Sequence, residues 1–344
     1  MGDLSVWETF VEGNEETTIL HDVNFIQIME DVYHCTAVPQ LIKVNDHVCG
    51  ISAFKVFSLL SSRKLTSMPF NFYPDLVGFQ DDENAFSHLI SVAEKMPGEV
   101  YVEYKTFSEM SLQELHGKKV YRTSSSMVST LALQNNYTSQ QKGYSKSRRN
   151  DIRRTSKHAI GARIQFTRAS DLGMVRDFYN LLSRLYRDKH RMIPQPWELY
   201  KQIYSGLVSR GMADYYLALN SSEVIAGIVV LKKNHHWEYC WAASSSEFHK
   251  LGLNALLVDW AIRDAIEAGM KTFGFGSSSP SDDRLLFFKD SWGCMHKPIY
   301  YYYWNHQPKP IDLETSFSTL RKAFRFIPLW LLRLISNYLV PQLV

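Results

Sequence analysis

Cysteine is scarce. The 344-residue chain has four, Cys35, Cys49, Cys240 and Cys294, far apart and without a CxxC pair. That excludes a disulfide scaffold and leaves the reduced thiols of a cytoplasmic protein as the reading. A long hydrophobic run is missing too. The most apolar stretch, FRFIPLWLLRLISNYLVPQLV at 324–344, is interrupted by Pro328, Arg333, Asn337 and Pro341, and falls short of the ~20 apolar residues that span a bilayer. A helix over 329–339 would place Leu331, Leu332, Ile335 and Leu339 on one side, either docked on the core or in peripheral contact with a membrane surface. The opening MGDLSVWETFVEGNEETT has neither the basic nor the apolar region of a signal peptide, and no Ser or Thr where myristoylation needs one. An excess of one charge is absent as well: 38 basic against 35 acidic residues leave a net +3, which argues against a nucleic-acid coat protein but leaves room for a local basic patch. The chain has no phosphate-loop, GxGxxG, GxSxG or HExxH motif. His235, His236, Cys240, Cys294 and His296 do not fall at a zinc spacing, so no metal site is expected.

What remains is an ordinary globular composition, 45% hydrophobic and 21% charged with a high 13% of aromatics, incompatible with disorder. At ~150 residues per domain the length suggests about two domains. One internal echo supports two halves. VPQLIKVNDHVCGISAFKVF (38–57) and ADYYLALNSSEVIAGIVVLK (213–232) both read as strand, polar turn, strand, with Gly50-Ile51 and Gly227-Ile228 at matching places. A helix is expected near 82–96, strands at 99–104 and 126–133, and a polar junction at 134–142. Beyond it come a basic helix near 144–158, a strand at 163–167, helices near 171–187 and 196–209, and strands at 213–219, 223–232 and 235–243. A helix near 252–268 and strands at 272–275 and 299–304 follow. The class is α/β, of the mixed α+β kind.

Three segments carry chemistry. The first is the basic helix, where Lys142, Lys146, Arg148, Arg149, Arg153, Arg154, Lys157, Arg163 and Arg168 face only Asp151. Arg149, Arg153 and Lys157 share a face at four-residue spacing, suited to phosphate, while Ile152 and Ala159 face the core. The second is FHKLGLNALLVDWAIRDAIEAGMKTFGFGSS (248–278), a Gly-containing loop entering a helix whose free N–H groups can receive an anion. In the third, LLFFKDSWGCMHKPIYYYYW (285–304), Lys289 lies among aromatics. Its ammonium either stabilises a carbonyl oxygen turning negative in acyl transfer or snorkels to water along Phe288. Glu103, mid-strand in VYVEYK, reads as half of a cross-strand ion pair or as a buried base.

Taken together, YSKSRRNDIRRTSKHAI, DFYNLLSRLYRDKH, NALLVDWAIRDAIEAGMKTFGFGSSS and LLFFKDSWGCMHKPIYYYYW, preceded by WETFVEGNEETTILHD, CGISAFKVFS and LTSMPFNFY, resemble the Fem-type (FemABX-like) transferases. These are a branch of the GNAT superfamily that includes peptidoglycan-bridge aminoacyltransferases and acetyltransferase-like proteins of polysaccharide loci. The likeness runs from Trp7 to about Leu334 and rests on the order of the segments. It implies two tandem GNAT-like domains of the acyl-CoA N-acyltransferase fold facing a shared cleft: a degenerate first domain at 1–140, a catalytic one at 141–310, and a helical tail at 311–344 packing back on the first. It implies Lys289 as the oxyanion stabiliser. Lys146, Arg148, Arg149 and Arg153, with Gly252 and Asn254 of the helix-entry loop, would hold donor or acceptor phosphates. The co-substrate would be an aminoacyl-tRNA or an acyl-CoA rather than a bound cofactor, and the acceptor an amine on a cell-envelope or polysaccharide precursor, attacking the donor directly. Acetyl-CoA users carry Gln/Arg-x-x-Gly-x-Gly/Ala at this loop. Here His249-Lys250-Leu251-Gly252-Leu253-Asn254 keeps only Gly252. The alternatives are an acetyl-CoA-dependent enzyme with a divergent loop and a non-catalytic protein that binds anions or RNA.

Overall fold

The computed structural model describes residues 4–57, 63–69, 72–73, 76–308 and 326–343. Its strands are β1 (Thr36–Ala37), β2 (Gln40–Val44), β3 (His47–Ile51), β4 (Phe54–Val56), β5 (Arg63–Thr66), β6 (Val77–Gly78), β7 (Val100–Thr106), β8 (Glu114–Leu115), β9 (Lys118–Ala132), β10 (Gln165–Arg168), β11 (Ala213–Asn220), β12 (Glu223–Lys233), β13 (His236–Ser244), β14 (Thr272–Ser278) and β15 (Met295–Trp304). The helices are α1 (Leu4–Glu12), α2 (Val23–Tyr33), α3 (Asp82–Glu94), α4 (Tyr137–Gly143), α5 (Lys146–Gly161), α6 (Leu172–Leu185), α7 (Trp197–Gln202), α8 (Leu253–Glu267), α9 (Asp283–Asp290) and α10 (Leu329–Leu339).

Both halves of the echo are hairpins on two-residue turns. Asn45-Asp46 joins the paired Val44 and His47, and Ser221-Ser222 joins Asn220 and Glu223. Asn45, Ser221 and Ser222 all take positive φ, as a tight turn between right-twisted strands demands. The matching glycines have a common cause in packing. A Cβ on Gly50 would lie 2.4 Å from the Phe10 ring of α1, and one on Gly227 2.6 Å from the Phe178 ring of α6. The first hairpin is kinked: its inner ends, β1 and β4, join the main sheet, while β2 and β3 form a small sheet with β6.

The main sheet runs β1-β4-β5-β7-β15-β9-β14-β13-β12-β11-β10. Each half contributes an antiparallel pair, a helix (α3 or α8) and a parallel strand, giving β5 parallel to β7 and β13 parallel to β14. The next strands cross over. β9, from the first half, pairs with β14 of the second, and β15, from the second, pairs with β7 of the first. β9 and β15 pair with each other between them. This exchange welds the halves into one mixed α/β sheet.

The helices bridge the halves too. Trp7, Phe25 and Ile26 of α1 and α2 share a core with Phe178, Tyr179 and Leu199 of α6 and α7, while α8 and α5 cover the opposite face of the second-half strands. The tail, expected on the first half, makes its hydrogen bonds to the second. Arg333 donates to Asn180 Oδ1 of α6 at 2.8 Å and Ser336 to the Pro194 carbonyl at 2.7 Å. The turn after it adds Val340 to the core shared with α2. The helix sits where the halves meet because α2 and α7 already pack together there. Residues 309–325 of the expected tail lie outside the described residues, as do Phe70 and Asn71 of LTSMPFNFY.

Candidate functional site

The parallel strands β13 and β14 pair only at 236–238 and 272–274. Beyond that point β13 bulges at Cys240 while staying with β12, and β14, paired with β9 throughout, shifts register between Gly274 and Ser277, with Gly276 at φ +69°. Two parallel strands that part in this way open a wedge whose backbone N–H and C=O groups face each other unpaired by the ladder. A wedge of that kind can seat a flat polar group such as an acyl carbonyl.

Two buried ions grip the wedge. Glu238 of β13 accepts from the Gly276 N–H at 2.8 Å with one oxygen. With the other it accepts from the Tyr73 hydroxyl at 2.6 Å and meets His236 Nε2 at 2.8 Å. Lys289, on α9, donates to the Gly276 carbonyl at 2.9 Å and to Ser278 Oγ at 3.2 Å. Gly276 is therefore held by a carboxylate at its N–H and an ammonium at its C=O. Lys289 is 2% exposed, so its head does not reach water. Burial pushes its ammonium down to about 8, against the opposing pull of Glu238. Opposite Glu238, position 274 has no room for a side chain, since a Cβ there would stand 1.7 Å from the carboxylate. Tyr73 comes from LTSMPFNFY, so the first half completes a site of the second. Lys105 secures that segment through the Met68 carbonyl at 2.6 Å.

The basic helix α5, capped by Ser145, divides its charges. Lys146, Arg149 and Arg153 are exposed. Arg149 donates to the carbonyls of Gln141, Lys142 and Tyr144 at the end of α4, and Arg153 to Asn150 Oδ1. Arg148 departs from the expected phosphate face. Its guanidinium is turned inward, donating to Ser291 Oγ at 3.0 and 2.9 Å between the rings of Phe288 and Trp292. The reason is the buried stripe Arg148, Ile152, Thr155, Ala159 along α5, which carries Arg148 against α9. Thr155 of the same stripe lies 3.3 Å from where a Cβ on Gly252 would stand. Gly252 caps α8 at φ +68° without a side-chain hydrogen bond. Just inside that helix start, Asn254 Oδ1 is buried with no partner among the described residues. The structure thus brings Lys289, α5 and the α8 entry loop to neighbouring positions, joined through Arg148 and Thr155. Among the described residues, no three His, Cys, Asp or Glu side chains form a metal-binding group. A cavity of about 560 Å³ lies at the other end of β13, beside Glu12, Lys233 and Trp237, with Lys233 already paired to Asp22 at 2.6 Å.

Residues 146–283 match the profile of the acetyltransferase (GNAT) domain family. The matched segment, from the start of α5 to the start of α9, is similar to a GNAT domain. The chain shares its fold with FemX, at TM-score 0.63 and 12% identity over 88% of this chain and 96% of that one. It is similar also to L-PGS from Bacillus licheniformis (0.56, 12%, 94% and 97%) and to the C-terminal domain of a putative lysylphosphatidylglycerol synthetase from Agrobacterium fabrum (0.53, 11%, 88% and 92%). No curated protein matches the sequence.

Of this site, the sequence alone points to Lys289, α5 and the α8 loop but not to Glu238, His236, Tyr73, Gly274 and Gly276. Glu238 had a visible signal: a lone carboxylate in the apolar run WEYCWAA implies a paired, buried charge. Glu103, by contrast, is an ion-pair residue, 3.7 Å from both Lys64 and Lys105 and bonded to Thr66 at 3.0 Å. Burial pushes its carboxyl up, but the two lysines outweigh burial and hold it below its ordinary value. The division of α5 has a measurable consequence. Arg148→Ala is expected to destabilise the fold by about 2–3 kcal/mol, through a lost buried hydrogen bond and ring contacts. Arg149→Ala and Arg153→Ala should change stability by less than about 1 kcal/mol. Chemical denaturation of the three variants checks this.

Proposed function

We propose that the protein is an N-acyltransferase of the Fem-like GNAT branch, moving an aminoacyl or acyl group onto an amine of a cell-envelope or polysaccharide precursor. The observation that carries the reading is the wedge between β13 and β14, gripped at Gly276 by Glu238 and Lys289, in a chain whose fold follows FemX along nearly its whole length. The acyl carbonyl would sit in the wedge. The acceptor nitrogen attacks it, the new C–N bond forms, and the C–O bond of an aminoacyl ester or the C–S bond of a thioester breaks. The nitrogen's proton passes to the departing oxygen or sulfur through water. Lys289 supplies positive potential to the oxyanion, already in place before reaction and shielded from water. Lys146, Arg149 and Arg153 would hold donor phosphates beside the α8 N-terminus, where backbone N–H groups after Gly252 can receive an anion. Arg148 would support this surface rather than touch the ligand.

The acetyl-CoA-dependent reading keeps one specific support, the left-handed Gly252 that lets backbone N–H groups at the helix start approach a pyrophosphate. Thermal shift with millimolar coenzyme A and acetyl-CoA separates the donors. A ligand at 100 times its Kd adds ~2.7 kcal/mol, readily seen as a raised midpoint. A rise that Arg149→Ala/Arg153→Ala abolishes makes the donor an acyl-CoA, whereas no rise points to aminoacyl-tRNA. Binding of RNA that falls steeply with salt, with no transfer from any charged donor, would replace the enzyme by an anion-binding protein.

A further inference from the structure

The C-terminal helix α10 has two apolar faces, and only one is covered. Leu332, Ser336 and Val340 are buried against α6, Pro194 and the shared core. On the opposite side Trp330, Leu334 and Tyr338 recur every four residues, exposed by 66%, 52% and 72%, and Phe326, in the turn before the helix, is exposed by 84%. Scattered exposed apolar residues are ordinary, but three aligned on one helix face, two of them aromatic, with an exposed phenylalanine just before them, are not. The surroundings are cationic. α6 ends beside α10 in a turn carrying Arg184, Arg187, Lys189 and Arg191 against the single Asp188, with exposed Met192 beyond it. Arg333, on α10 itself, is held below its ordinary range by burial and by Arg176 and Arg184. In sequence, Arg321, Lys322 and Arg325 immediately precede the stripe.

We infer that the outer face of α10 is a docking surface for an anionic lipid bilayer. Trp and Tyr rings with an apolar body and one polar edge suit the zone between headgroups and acyl chains, with Phe326 and Leu334 reaching deeper. An 11-residue helix is about 16 Å long, too short to cross a bilayer, so it lies flat. The adjoining cations then meet anionic headgroups, a charge match that a zwitterionic membrane or a second copy of the same basic surface lacks. No part of this rests on the acyl-transfer chemistry.

The test is co-sedimentation of the full chain with vesicles of phosphatidylcholine alone and of phosphatidylcholine with about a third phosphatidylglycerol. The protein is expected to bind the anionic vesicles and to leave them in part as salt is raised. The triple variant Phe326→Ala/Trp330→Ala/Tyr338→Ala, whose side chains are all exposed and whose midpoint should match the parent, is expected to lower the partition coefficient at least about tenfold. Arg184→Glu/Lys189→Glu should weaken binding to the anionic vesicles alone. Absence of binding to either vesicle, or equal binding by the triple variant, overturns the inference. So does sedimentation velocity showing a dimer in the parent and a monomer in the triple variant, since a second copy would then cover the face.

Discussion

Lys289→Met is expected to lower kcat by about 10²–10³-fold with little change in KM, the effect of removing one preorganised donor or charge from an oxyanion site. The protein's stability should not fall with it. The ammonium is buried and its folded pKa is pushed down to about 8 from 10.5. Below pH 8 both folded and unfolded chains hold the proton, and the folded chain bears the cost of a desolvated charge. Between about 8 and 10.5 the unfolded chain keeps the proton that the folded one has released, so this group makes stability rise with pH. Replacing it with an apolar side chain of similar length removes that cost, and the thermal midpoint should stay level or rise near pH 7 while turnover collapses. The parent's own profile gives a second check. If the charged form is the one that acts, kcat declines as pH passes about 8; a rise through the same region would make Lys289 a base rather than an electrostatic stabiliser. The assay is single-turnover transfer from whichever donor raises the thermal midpoint. Unchanged turnover in Lys289→Met would remove the residue from the mechanism.

Gly274→Ala should be the most damaging methyl group that can be added to the wedge. The new Cβ would be placed 1.7 Å from Glu238 Oε2 and 2.5 Å from its Cδ, so the carboxylate must move. On moving, it leaves the Tyr73 hydroxyl, His236 and the Gly276 N–H together. Overpacking costs about 1–3 kcal/mol and a disturbed buried charge about 3 kcal/mol more, so a loss of about 4–6 kcal/mol and of activity is expected. A double-mutant cycle assigns the cause. In a Glu238→Ala background the same glycine change should cost less than about 1 kcal/mol, because the clash is gone. Equal costs in both backgrounds would show that the glycine is needed for some reason other than room for the carboxylate.

Much of the local architecture could be read from residues alone. Asn45-Asp46 and the Ser221-Ser222 region signalled two hairpins because tight turns require residues that tolerate positive φ. Gly252 marks the entry to α8 for a similar reason. Glu103 is legible as half of a cross-strand ion pair, since a carboxylate mid-strand needs a partner when buried. The inward turn of Arg148 was also legible in principle. It stands four residues before Ile152 and eleven before Ala159, on the stripe that helical periodicity sends to the core, yet its charge suggested solvent. The segment around Lys289 was not assigned to a helix, although Asp282 caps it, accepting from the Leu285 N–H.

The rest was settled only in three dimensions. β9 and β15 carry the alternation of any β-strand, and nothing in that pattern says which strand will lie beside them. Their exchange between the halves depends on non-local pairing, with β15 reaching β7 across nearly two hundred residues of chain. The grip on Gly276 is equally non-local, bringing together Tyr73, Glu238 and Lys289 from three distant segments. Sequence periodicity determines which way a side chain faces along its own element, because that is a property of backbone geometry. Which partner it then meets is decided by the tertiary packing, because burial of apolar surface is indifferent to identity until shape and charge choose among the faces available.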